Sequence, residues 1–529
     1  MQSENRSWPF GASLQEYKRS GFPSLLPWRR LPVLLWLVVS CLAVDVVALS
    51  AEVFSDFRSY DVGHPDSATI LRIAEYVHTG NLYPDINQPS YYPTLYGPLS
   101  YVIFSVPYRF AIHHSYPPES AIRLAVFGFF LGSIALVFLI ARRLTVPINL
   151  ALLGALFAAS GPELRGWTLQ ARPDMLALSF ALLGIWLCLG SERSWQLAIA
   201  AVCGGLAFLC KQTFVAMPAA VFLWFLCRRR FIAALGWATG VACTVLTGYG
   251  FFILREPLAW QHFAALSHPV FEYRDGLFIV QDAMSEAKVP FFFLGAYFEW
   301  RHRHERAPLI ILYGLTALFI GILTIPQVGG GINYFLEFWA ISATLAAPGL
   351  VELNRQLRRS RPVITALVIV LLLYFFAPKL RNDIEAMRAT YRDTRDYGQE
   401  RAQWERFHSV LAGRRLLAFD SSIPLWSRVP EVPDPYLNSV LERSGTWSSA
   451  PIVGNVEAGA YEAIIEGADG DVDSYRGVIL LPSVHAAIKH HYLRACGFQA
   501  YTVWLPIRGA PGLYNRLVQA GCVPVSKDQ

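Results

Sequence analysis

The sequence predicts a polytopic α-helical membrane protein. It would have about eleven transmembrane helices, external juxtamembrane helices and a small C-terminal α/β extracytoplasmic domain. Three observations predict this. The 529 residues are 54% hydrophobic and only 16% charged, whereas a soluble domain carries about a quarter charged residues. The apolar residues are gathered into runs long enough to cross a bilayer. The arginine clusters fall at run ends and on one side of a single consistent thread. The net charge of +6 therefore calls for no nucleic-acid partner, because span-end arginines account for it.

The expected organisation is a cytoplasmic N-terminal segment over 1–31, a transmembrane domain over 32–377 and an extracytoplasmic C-terminal α/β domain over 378–529. Arg29 and Arg30 precede LPVLLWLVVSCLAVDVVAL without a small-residue cleavage site after a short apolar region, so this first span (32–50) reads as a retained signal anchor. Span two (120–141) ends in Arg142-Arg143, span six (213–227) in Arg228-Arg229-Arg230, and span eight (289–300) reaches RHRHER. Span ten (335–350) returns to RQLRRSR, and span eleven (362–377) leads out to the polar tail. Spans three (146–160), four (174–190), five (195–209), seven (231–253) and nine (307–325) complete the alternation, which puts every strong arginine cluster inside. The apolar segment 96–112 contains Pro98 and Pro107 and would break that alternation as a span, so it is assigned to the outer leaflet as an interfacial element. The integral plasma (inner) membrane, with the N-terminus cytoplasmic, is the expected location.

Six of the eight cysteines lie inside apolar runs, where thiols act as small hydrophobes. Cys496 and Cys522 lie in the tail, free or paired. No CxxC or Cys/His metal spacing occurs. The tail opens with a charged, helical-looking stretch and carries short β-like runs, RRLLAFD and YRGVILLP.

The candidates for chemistry gather on the outer side. HPDSATILRIAEYVHTGNLYP, residues 64–84, reads as an amphipathic surface helix with Ile70, Ile73, Ala74 and Val77 on one face and Arg72, Glu75 and His78 on the other. Gly80 ends it. Asp66 at its head reads first as an N-cap, and beside a second acid on the same side as a reactive carboxylate. Asp174, in QARPDMLALSF, stands at the outer mouth of span four with Arg172 beside it; acids at the hydrocarbon edge are costly and tend to be functional. Lys211, at the turn between spans five and six, is either a snorkelling lysine or an anion binder. GGGINYFLE offers Asn333 or Glu337 as a hydrogen-bonding group. His262 and His268 fall in the irregular loop after span seven, where nothing fixes them on one face for a metal.

The stretch 64–84 resembles the first external loop of the GT-C superfamily glycosyltransferases, which include protein O-mannosyltransferases and the aminoarabinose transferases of lipid A. Asp66, Gly80 and the Tyr83-Pro84 pair stand where that loop carries its Asp, Gly and aromatic-Pro. YYPTLYGPLSYVIF resembles the proline-rich juxtamembrane segment, and ARPDMLALSF, GGLAFLCKQTF and GGGINYFLE are similar to later loops. Ser67 follows Asp66 where the family often has Glu, and the tail carries no motif of the family.

The resemblance implies transfer of a sugar from a polyprenyl-phosphate donor to a glycan, lipid or protein acceptor. Asp66 would be the general base and Asp174 a second catalytic acid, while Lys211 and Arg172 would hold the donor phosphate. Tyr83, Tyr92, Asn333, Glu337 and His268 would line the substrate. No cofactor is implied, and a divalent metal has no support in the motifs. A transporter or flippase of lipid-linked sugars, or a non-catalytic membrane assembly protein, is the alternative; internal repeats and midplane charges, the marks of a transporter, are absent.

Overall fold

A computed structural model describes residues 64–159, 164–190, 193–266, 273–301, 305–357, 401–420, 431–467 and 481–525, apart from 89–90, 165, 169, 286–287, 328–329 and 500, together with a few isolated positions. Spans one and eleven, His268 and most of YRGVILLP lie outside the described residues.

The chain enters through α1 (His64–Thr79), which ends where Gly80 takes φ +74° and its N–H bonds the Tyr76 carbonyl. A glycine meets that left-handed turn without a Cβ clash. A strap over residues 81–97 then leads to α2 (Pro98–His113), the proline-bearing segment assigned to the outer leaflet. The helices that follow are α3 (Pro118–Arg143), α4 (Ile148–Ala159), α5 (Asp174–Gly190), α6 (Ser194–Cys210), α7 (Ala216–Cys227) and α8 (Phe231–Arg255). Two short helices, α9 (Ala259–Leu266) and α10 (Tyr273–Ser285), precede α11 (Lys288–Arg301), α12 (Ala307–Thr324) and α13 (Leu336–Leu357).

Helices stand at the positions of spans two to ten, but among the described residues only α3, α8 and α12 are long and apolar enough to cross a membrane. Four others, α4 to α7, are apolar with 12 to 17 residues. At 1.5 Å per residue they reach roughly 18–26 Å, short of a hydrocarbon core of about 30 Å. Apolarity alone had counted them as full spans. α5 packs between α3 and α6, and α13 packs against α4 and α11. Large apolar side chains of α8, Ile232, Leu235, Leu246 and Leu254 among them, are exposed, as on a lipid-facing surface.

The tail contains a five-stranded sheet in the order β1-β2-β4-β3-β5, with β1 (Leu416–Ala418), β2 (Ala463–Glu466), β3 (Tyr492–Phe498), β4 (Tyr501–Pro506) and β5 (Val523–Pro524). β1 and β2 pair in parallel and the remaining pairs are antiparallel. Alternation sorts its two faces. Leu417, Phe419 and Ile464 meet α14 (Pro435–Arg443), α15 (Ala450–Glu457) and α16 (Pro482–His491), whereas Leu416, Ala418, Ala463 and Ile465 meet a helix over 401–411 and α17 (Pro511–Gln519). Cys496 and Cys522 form a disulfide that joins β3 to the residue before β5. Ile86 and Tyr91 of the strap belong to the core of the first face, so the strap is built into the tail as well as into the helical bundle.

Candidate functional site

Five of the side chains singled out in the sequence, Asp66, Arg172, Asp174, Lys211 and Asn333, come together where α1, α2, α5, α6 and α13 approach one another. Asp174 opens α5, where the helix dipole favours an acid. Lys211 caps α6 at its C-terminus; its backbone turns extended there, at φ −150°, and leaves the helix axis. Its Nζ lies 2.5 Å from Asp174 Oδ1. Asn333, in the 3-10 turn Ile332–Phe335 ahead of α13, donates from Nδ2 to the same oxygen at 2.7 Å. Asp174 Oδ2 makes no hydrogen bond and faces Arg172 Nε at 3.8 Å. Asp174, Lys211 and Asn333 are all buried, which a charged pair tolerates when its partners are close.

Asp66 stands beside this pair. It is the third residue of α1, and its Oδ2 accepts the N–H of Ala171, 3.0 Å away. The carboxylate thus reaches across to the loop ahead of Arg172 and Asp174. Burial pushes its pKa up to about 7; Arg123, Arg172 and the Ala171 N–H oppose that shift, and Asp174 adds to it. Two acids with different partners therefore sit side by side: Asp174 held by two cations and an amide, and Asp66 poised to exchange a proton near neutrality. Such a division is what acid–base chemistry requires.

Arg172 donates from Nε to the Tyr96 hydroxyl at 3.1 Å and lies 4.4 Å from the centre of the Trp167 ring. Lys211 Nζ lies 5.4 Å from the Tyr334 ring and 5.9 Å from the Tyr96 ring. Aromatic faces thus shelter both cations.

Other candidates lie elsewhere. Glu337 turns towards α7, accepting from the Tyr313 hydroxyl at 2.8 Å and from the Met217 N–H at 3.2 Å. Tyr83 is packed edge-on against Phe252, His262 and Phe263. Tyr92 is buried in the strap, and its carbonyl is taken by Arg72. Arg72, read as solvent-facing, is itself buried at 1% exposure because the strap folds over that side of α1. His262 holds the strap with both ring nitrogens, Nδ1 at 2.9 Å from the Thr94 N–H and Nε2 at 2.7 Å from the Pro84 carbonyl. Burial pushes its pKa down to about 4, so the ring is neutral. Among the described residues no group of three His, Cys, Asp or Glu is placed to hold a metal ion.

A protein-family model described as dolichyl-phosphate-mannose-protein mannosyltransferase matches residues 110–249, which include Arg123, Arg172, Asp174 and Lys211. No curated protein matches the chain by sequence. The structure is similar to that of ArnT from Cupriavidus metallidurans bound to undecaprenyl phosphate, with a TM-score of 0.55 at 14% identity, covering 89% of this chain and 98% of that one. The apo state of the same protein matches with a TM-score of 0.55 at 14% identity, over 87% of this chain and 97% of that one. The chain thus shares its overall fold with ArnT.

Within this fold two groups at the site were missed by sequence reading. Arg123, buried in the second turn of α3, is the strongest charge acting on Asp66. It carried a usable signal: a cation inside an apolar run at the end opposite Arg142-Arg143. Tyr96 carried none beyond its place before Gly97-Pro98. The far end of α3 completes the polarity of the bundle, since Arg306 donates to the Arg143 carbonyl there at 3.3 Å. The acidic site and the arginine-rich end thus occupy opposite ends of one 26-residue helix.

Proposed function

We propose that the chain is a membrane glycosyltransferase that moves a sugar from a polyprenyl-phosphate donor to an acceptor on the extracytoplasmic side. The observation that carries this reading is the buried cluster in which Lys211 and Asn333 share Asp174 Oδ1 while Arg172 faces its other oxygen and Asp66 lies alongside. The fold it shares with ArnT, which was solved with undecaprenyl phosphate, supports a polyprenyl phosphate as donor carrier.

The chemistry is an inverting displacement. Asp66 takes the proton of the acceptor hydroxyl; the acceptor oxygen bonds to the anomeric carbon as the bond from that carbon to the phosphate oxygen breaks. Polyprenyl phosphate leaves with the electron pair, and its negative charge is met by Lys211 and Arg172. Asp174 holds those two cations in place and orients the incoming hydroxyl or sugar through its unbonded Oδ2. The Cys496–Cys522 disulfide supports an oxidising, extracytoplasmic compartment for the tail, and hence the same side for the site to which the strap ties it.

The test is transfer by the purified full chain from radiolabelled polyprenyl-phosphate sugars, comparing wild type with Asp66→Asn. The expected result is label in the acceptor for wild type and loss of transfer for a variant that still inserts and folds. Normal turnover by Asp66→Asn overturns the assignment of the base. Movement of donor across a proteoliposome membrane without transfer would instead mark a flippase.

A further inference from the structure

The strap over residues 81–97 has no regular secondary structure for most of its length, so its backbone groups must find partners elsewhere. They are met from three directions. Glu256 Oε2 accepts from the N–H groups of Leu82 and Tyr83 at 2.7 and 2.8 Å, and His262 takes Pro84 and Thr94. Arg72 of α1 takes Tyr92. Two further ties come from the tail: Trp447 donates from Nε1 to the Ile86 carbonyl at 3.0 Å, and Asn438 donates from Nδ2 to the Tyr91 carbonyl at 2.8 Å. Both tail side chains are buried, Asn438 at 0% and Trp447 at 4% exposure.

At that tie Tyr91 takes φ +37°, a conformation an L residue holds only when its surroundings impose it. The strap then runs five residues to Tyr96, whose hydroxyl accepts from Arg172. Gly97 follows, its N–H bonded to the Cys210 carbonyl at 3.1 Å, next to Lys211.

We propose that the C-terminal unit is a positioning module for the reaction centre: Asn438 and Trp447 latch the strap in the conformation that sets Tyr96 against Arg172. This rests on the glycosyl-transfer reading above. Neither residue touches the reacting groups; both act through the strap.

Because Arg172 is one of the charges that hold Asp66 ionised, a slipped strap has a signature that simple destabilisation lacks. Asp66 is faced by Arg123 from α3, by the Ala171 N–H and Arg172 from the loop before α5, and by Asp174 from α5, with Tyr96 adjoining from the strap. Loosening Arg172 alone leaves Arg123 and Asp174 in place and raises the pH at which the base becomes active.

The experiment uses the full chain and the variants Asn438→Ala, Trp447→Phe and Tyr96→Phe. Trp447→Phe keeps most of the ring and removes only the N–H donor. Two quantities are read: hydrogen exchange of the amides over 82–96, and the pH profile of transfer from labelled polyprenyl-phosphate sugar. The latch variants are expected to exchange these amides faster, to lose kcat/KM for the donor, and to move the acid limb upward by about one pH unit. Tyr96→Phe is expected to move the acid limb the same way with strap exchange unchanged. Latch variants with wild-type strap exchange overturn the latch, and faster exchange with an unmoved acid limb overturns its link to the site. A wild-type chain that transfers no sugar overturns the glycosyl-transfer reading and the role given to the latch with it, whereas a working wild type beside unaffected variants overturns the latch alone.

Discussion

Asp66 accepts the backbone N–H of Ala171 across 3.0 Å, although 105 residues separate them. This contact joins the head of α1 to the loop that carries Arg172 and Asp174. It places a carboxylate of raised pKa next to one that two cations hold, and the predictions follow from that juxtaposition.

The base form of Asp66 is the ionised one, so activity should rise with pH through the raised pKa of about 7. Transfer measured from pH 5 to 9 should show an acid limb near neutrality instead of near the ordinary carboxylate range. Asp66→Asn should remove that limb and lower kcat by roughly 10²–10⁴-fold. A flat profile down to pH 5 would assign the proton to another group.

Lys211 and Asp174 are a buried ion pair at 5% and 1% side-chain exposure. Removing one partner strands the other, at a cost of roughly 3–5 kcal/mol. Lys211→Met should therefore melt well below wild type in detergent, and adding Asp174→Asn should recover much of the loss. Transfer should stay absent in the double variant, because the phosphate cation is still gone. Recovery of transfer together with stability would make the pair purely structural.

A Cβ on Gly97 would stand 1.9 Å from the Leu209 carbonyl oxygen. The obstacle is backbone, so the strap or α6 must move. Gly97→Ala should cost about 1–3 kcal/mol and should lower kcat more than stability alone explains, since Tyr96 and Lys211 flank the contact. A variant with unchanged melting and unchanged transfer would mean that the two segments separate freely.

The disulfide closes a loop with a sequence separation of 26 residues. Cys496→Ala/Cys522→Ala should lower the stability of the tail by roughly 2–5 kcal/mol, read by protease resistance of the full chain with and without reductant. Equal resistance in both conditions would count against the pairing.

Much of the site was legible before any coordinates. Asp66, Asp174, Lys211 and Arg172 each stood out because charge at the edge of an apolar run is costly, and the arginine count put them at one end. Asn333 stood out only through its glycine-rich setting. Glu337, four residues further along the same motif, looked equivalent in sequence; helix rotation sends it to Tyr313 and Met217 instead. Arg72 read as solvent-facing and His262 as a loop residue fixed on no particular face, because their partners are strap carbonyls and amides, and backbone groups leave no trace in side-chain patterning.

Residue chemistry and apolar periodicity by themselves determined that the chain is rich in apolar helices, where the helices at spans two to ten fall and which charges are out of place, because burying a charge or an unpaired backbone is expensive everywhere in hydrocarbon. Tertiary structure decided which of those charges meet. It paired Asp66 with Ala171 rather than with its own helix end, put Arg123 beside it, and threaded the strap between the bundle and the sheet. Those outcomes depend on contacts between segments far apart in the sequence, whose geometry no local pattern encodes.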